Sequence, residues 1–126
     1  MPMELKKFLE PKEIEIKGTN YIISKIPAIQ AQQIYGAIMR ECKEEGDIGM
    51  TYISEETAIN LLAYTAMGSG EEAQVLEGRD RINVACSDIE KLIKLEAAMI
   101  RYNFSFLFDG VLQDVLEVLR SSSADI

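Results

Sequence analysis

Chemistry in this chain would have to come from its two cysteines, its paired acids or its glycine-rich turns. The sequence contains no histidine and no tryptophan. Cys42 and Cys86 therefore have no imidazole to accept a thiol proton, and neither has a partner at metal-ligand spacing. Both sit in or beside apolar patterns, where cysteine acts as a small buried hydrophobe. Glu44/Glu45, Glu55/Glu56 and Glu71/Glu72 are adjacent pairs at predicted element ends or in loops. Sequence neighbours on a helix do not face one another, so these pairs read as solvated charge. Gly68-Ser69-Gly70 lacks the Lys-Ser/Thr of a phosphate loop and ends a helical pattern instead of opening one. Asp109-Gly110 lacks the spaced ligands and closing glutamate of a calcium loop. The residues thus predict no catalytic group, no cofactor and no metal, and the expectation is a protein that is not an enzyme.

The 126 residues carry 13 Lys+Arg against 21 Asp+Glu, a formal net charge of −8. That balance disfavours nucleic acid as a partner, because phosphate binding needs clustered cations, and it disfavours an anionic membrane equally. With 48% hydrophobic residues the chain has an ordinary globular composition and suits one domain. Its longest apolar runs, such as Leu61–Tyr64 and Phe106–Phe108, fall far short of the roughly 20 residues a spanning helix needs. The opening Met-Pro-Met-Glu-Leu-Lys-Lys is not a signal peptide, so a cytosolic protein with two packed free thiols is expected, one disulfide being the alternative.

The elements follow from periodicity. Leu5, Phe8 and Leu9 at helical spacing before Pro11 suggest an N-terminal arm over 1–12, a frayed terminus being the other reading. Glu13-Ile14-Glu15-Ile16-Lys17 alternates like a half-buried strand, and Tyr21–Ile26 is rich in β-branched residues. Gly18-Thr19-Asn20 between them predicts a hairpin with a three-residue loop. Ala31, Ile34, Ile38 and Cys42, widened by Tyr35 and Met39, predict a helix over 28–45. Ser54 is a good N-cap for a second helix with Ala58, Ile59, Leu62 and Ala66 as its stripe, ended by Gly68-Ser69-Gly70. Residues 67–87 are too weakly patterned for more than a connector with a brief strand. Ser87-Asp88-Ile89-Glu90 reads as a capping box. Ile89, Leu92, Ile93 and Ile100 then form one face of a third helix, and Leu95, Met99 and Tyr102 a second. A last helix is expected over 105–120, with Phe108, Val111, Leu112, Val115 and Leu119 as its stripe, and a disordered tail over 121–126. The fold class expected is α+β and predominantly α-helical: an N-terminal β-hairpin packed on about four helices in one domain over 13–120.

The apolar surface exceeds one stripe per helix. Two readings fit: the later helices are buried on two sides of a small core, or part of the surplus meets another subunit or a partner helix. On the second reading the candidate interface residues are Leu5, Phe8 and Leu9 of the arm, Leu95, Met99, Tyr102 and Phe104, and Phe106 and Val118 beyond them. Self-association would help so small a domain cover its apolar surface, so a homo-oligomer is expected.

Glu13–Pro27, its continuation through Tyr35, and Met50-Thr51-Tyr52-Ile53-Ser54-Glu55-Glu56-Thr57-Ala58 resemble the tail assembly chaperones of lambdoid long-tailed bacteriophages. The likeness covers residues 13–67. It implies a non-enzymatic protein of the host bacterial cytoplasm that is absent from the mature virion. Such chaperones coat the long helical tape measure protein, keep it soluble and recruit tail tube protein as the tube grows. The resemblance makes this chain similar to the short form of a pair produced by translational frameshifting, and it brings no catalytic residue. An apolar face on an acidic domain suits such cargo, since a bare amphipathic helix aggregates. The alternatives are a head–tail joining or tail terminator protein of the virion, or an acidic DNA mimic. The mimic would need carboxylates ordered along one surface, whereas here they are dispersed.

Overall fold

A computed structural model describes residues 8–44, without the side chains of 42–44, and residues 53–105. β1 (Leu9–Ile16) and β2 (Thr19–Lys25) form an antiparallel hairpin in which Ile14 faces Tyr21 and Ile16 faces Thr19. Its turn is Lys17-Gly18, not the expected three-residue loop. Both turn residues hold positive φ, 49° and 81°, as a two-residue turn that follows the strands' own twist requires. Of the expected 1–12 arm, the part from Leu9 onward is strand, and residues 1–7 lie outside the described residues. A register shift between Leu9 and Lys12, with Glu10 at φ 46°, lets Pro11 sit in this edge strand, where its missing N–H leaves no ladder bond unmade.

The hairpin is half of a four-stranded antiparallel sheet in the order β1-β2-β3-β4. β3 (Ala66–Met67) and β4 (Gln74–Val75) come from the stretch expected to be a connector, joined by a short 3₁₀ turn at Gly70–Glu72. Ala66 is therefore strand and not the last member of a helical stripe. Gly68 is at φ 111°, and a Cβ there would stand 3.2 Å from the Ala73 Cα, so the return to β4 needs glycine. Ile22, Ala66, Ala73 and Val75 pack with Phe8 on one sheet face.

Four α-helices complete the described residues: α1 (Ala28–Glu44), α2 (Glu55–Leu62), α3 (Arg79–Ala85) and α4 (Ile89–Phe104). The class is α+β. Ile34 and Ile38 of α1 are buried as expected, while Met39 at the edge of that stripe is 48% exposed. α2 begins at its Ser54 cap but ends at Leu62, and it buries Thr57, Leu61 and Leu62. The cap of α4 is Asp88, whose carboxylate accepts the Lys91 N–H at 2.8 Å, and not Ser87.

Of the two readings of α4, burial on two sides is the one the structure shows, with Leu92 and Ile100 packed against the same core as Leu95 and Met99. Leu95 and Met99 are fully buried against the sheet and Phe104 is 4% exposed, whereas Ile89 is 69% exposed. α4 lies along β2 and also touches α2, so it is buried on two sides. The assignment of Leu95, Met99 and Phe104 to an interface is corrected accordingly: they are core. The expected helix beyond residue 105, the 121–126 tail, Leu5, Phe106 and Val118 lie outside the described residues.

Two polar links fasten this arrangement. The Tyr21 O–H donates to the Ala85 carbonyl at 2.7 Å, and burial foremost pushes its pKa up to about 12. Asn103 accepts the Ile26 N–H at 2.7 Å and donates to the Ser24 carbonyl at 3.1 Å. Its side chain thus serves the end of β2 as one more strand residue would.

Candidate functional site: an apolar cleft with a buried carboxyl

Three helices leave a gap where they converge. α2 contributes Ala58 and Ile59, α3 contributes Ile82, and α4 contributes Leu92 and Ile93, around a cleft of about 250 Å³. The exposed Ile89 and the half-buried Ile53 extend its apolar wall. The gap exists because α3 is only seven residues long and α2 eight, so neither covers the full length of α4. At the mouth, Glu55 Oε2 and Arg79 Nε stand 3.8 Å apart, both well exposed. Such a pair contributes little stability but leaves no net charge there.

Glu96 lines the same cleft and is 3% exposed. Among the described residues no donor or cation is paired with its carboxyl, and no side-chain oxygen there is both fully enclosed and unpartnered, so the carboxyl is not sealed off from the cleft. Burial alone pushes its carboxyl from the usual 4.5 to about 7. Nearby cations are engaged elsewhere. Lys17 holds Asp88 and Glu90 at 3.2 and 3.0 Å, Lys94 holds Glu90 at 2.8 Å, and Lys91 donates to Thr19 Oγ1 at 3.1 Å. Lys17 is held above its ordinary pKa by Glu90 and then Asp88, as mutual pairing demands.

Sequence reasoning missed Glu96, though a signal was there. The stripe Ile89, Leu92, Ile93, Ile100 passes through position 96, where a glutamate interrupts an otherwise apolar row. Holding a carboxyl at an apolar recess is costly, and such groups concentrate at functional sites.

The sequence-derived candidates scatter around this cleft without forming it. Phe8 is buried on the far face of the sheet, and Leu9 is 46% exposed. Tyr102 is half-buried; its O–H donates to the Glu10 carbonyl at 2.6 Å, and its ring lies 4.1 Å from Lys25 Nζ. Cys86 is a buried free thiol, its pKa raised chiefly by burial. The Cys42 side chain is not among those described. A second furrow of about 380 Å³ between α1 and α2 is edged by Gln30, Gln33, Arg40, Glu56 and Asn60. Polar side chains of that kind are content in water, so the apolar cleft is the stronger binding candidate. No described helix is long and apolar enough to cross a membrane, and the described residues contain no cluster of three metal-ligating side chains. No family model matches the chain, and no curated protein or solved structure is similar to it.

Proposed function

We propose that this protein is a non-enzymatic binding protein that covers an apolar helical segment of a partner, in the role of a phage tail assembly chaperone. The observation that carries the reading is the cleft of Ala58, Ile59, Ile82, Leu92 and Ile93, with Ile89 exposed beside it. A groove between helices accepts the apolar ridge of another helix, and an exposed contiguous apolar patch is a cost that a binding surface explains. The resemblance of residues 13–67 to tail assembly chaperones supplies the setting. On it, the partner is the tape measure protein, tail tube protein is recruited to the complex, the site of action is the host cytoplasm, and the working form is homo-oligomeric. A net charge of −8 would keep many copies on one cargo from aggregating.

Co-expression with the tape measure protein tests this reading through pull-down and mass determination of the complex. A soluble complex with many copies per tape measure, which precipitates when this chain is omitted, is the expected result. Absence of binding, with this chain closing into a stable ring by itself, would favour a head–tail joining protein instead.

A further inference from the structure

We propose, resting on the binding role above, that the cleft between α2, α3 and α4 takes an amphipathic helix of a partner that inserts a lysine or arginine among its apolar residues, the cation meeting Glu96. Apolar walls alone would suit a purely hydrophobic ridge. A carboxyl that is 3% exposed and lines the recess without a donor from the described residues does not. An occupant that displaces water from the recess must bring a cation or a strong donor to that carboxyl.

The chain's own charges decide between occupants. Lys17, Lys94 and Arg79 are already paired with acids, and Lys91 is held at Thr19. Residues 106–126 carry Asp109, Asp114, Glu117 and Asp125 against Arg120 alone, so that segment would bring carboxylates toward a carboxylate. A second copy seated in this cleft would bring a surplus of acids, net charge −8, toward the same carboxyl. A partner helix bearing a cation within its apolar face is the occupant whose charge complements the site. A lysine suits the depth: its methylene stem packs against Ile59, Ile82 and Ile93 while the ammonium reaches the carboxyl.

The test uses the full chain and two synthetic helical peptides of about 18 residues, or five turns. Both have a leucine/alanine face and a glutamine face. One carries a single lysine at the centre of the apolar face, and the other carries norleucine there. Fluorescence anisotropy on the unmodified chain should give at least about tenfold tighter binding for the lysine peptide, in keeping with buried interfacial charge pairs. Glu96→Gln should abolish that preference while circular dichroism stays unchanged, and Ile59→Ser should weaken both peptides. Equal binding of the two peptides overturns the proposal, as does a preference that survives Glu96→Gln. It is overturned too if neither peptide binds, or if sedimentation shows a second copy seated on Ile59 and Ile93. A soluble tape measure complex alongside any of those results removes this inference and leaves the chaperone reading standing.

Discussion

The Glu41 carboxylate of α1 caps the first turn of α2 by taking the Ser54 N–H at 2.6 Å, although thirteen residues separate the two. Its other oxygen receives the Ser54 and Thr57 hydroxyls at 3.0 and 2.8 Å, while Ser54 Oγ accepts the Thr57 N–H at 3.1 Å. One acid thereby fixes how two helices meet. It also satisfies a buried threonine, which is why α2 can turn Thr57 inward and leave Ala58 and Ile59 to line the cleft.

Glu41→Ala should accordingly destabilise the fold by about 1–2 kcal/mol, as the loss of charge-assisted hydrogen bonds at a half-exposed site does. Burial raises the Glu41 pKa, but the bonds from Ser54 and Thr57 outweigh it and hold the carboxyl below its ordinary 4.5. This contribution is therefore complete above pH 4.5 and lost as pH falls through the lowered value. Urea unfolding at pH 7 and pH 3 checks it: the wild-type advantage over Glu41→Ala should shrink at the lower pH. An equal gap at both would contradict the capping role.

Asn103 poses a sharper geometric demand. It accepts from Ile26 and donates to the Ser24 and Met99 carbonyls at 3.1 and 3.0 Å. Asn103→Leu strands those backbone groups and should cost about 2 kcal/mol. Asn103→Asp keeps the acceptor for Ile26 but turns carboxylate oxygens toward two carbonyls, so at pH 7 it should be the worse of the two. Thermal unfolding of both variants decides the order; Asp tolerated better than Leu would mean the amide's donor side is idle.

How far the chain was legible depends on whether neighbours in sequence carry the information. Alternation at Glu13–Lys17 and the spacing of Ile34 and Ile38 are local, and they predicted the hairpin and α1. Ser54 marked the start of α2 for the same reason. β3 and β4, two residues each, depend on the edge that β2 offers, so local pattern announced no more than a brief strand within a connector. Which apolar residues of α4 form the core stayed open, because Leu95 and Met99 are no more apolar than Ile89 and Ile93. Only the position of β2 decides which pair becomes core. The cleft was invisible for a related reason, since it is the space left by two short helices against a long one. Its floor, Glu96, was in plain sight as the glutamate within an apolar row.

Glu96 should make stability fall with rising pH, the reverse of Glu41. Its carboxyl is neutral in the fold up to about 7 and ionises near 4.5 once unfolded. Its stabilising contribution is therefore complete below pH 4.5 and gone once pH passes about 7. Glu55 and Arg79, the other charged residues lining the cleft, stand 3.8 Å from each other at its mouth. Replacing Glu96 with glutamine keeps the shape and removes the ionisation. It should stabilise the protein by about 2 kcal/mol at pH 8 and change little at pH 4. Chemical denaturation at the two pH values measures the difference; a variant equally destabilised at both would show that the carboxylate has a partner.

Leu95 is buried and Ile89 exposed on the same helix, so folding and the proposed binding should separate between two substitutions. Leu95 is fully buried between helix and sheet, so Leu95→Ala should cost about 2–5 kcal/mol through lost burial and the cavity left behind. Ile89 is 69% exposed in the first turn of α4, where an acid also suits the helix dipole, so Ile89→Glu should leave stability within about 0.5 kcal/mol. Binding should respond in the opposite order. A charge at position 89 enters the apolar wall that the proposed partner helix would cover, so tape measure capture should be lost in a protein that remains folded. Leu95→Ala, kept below its lowered melting temperature, should still capture it. Calorimetry and pull-down on the same two samples read both properties, and capture that follows stability in both variants would place the binding surface elsewhere than the cleft.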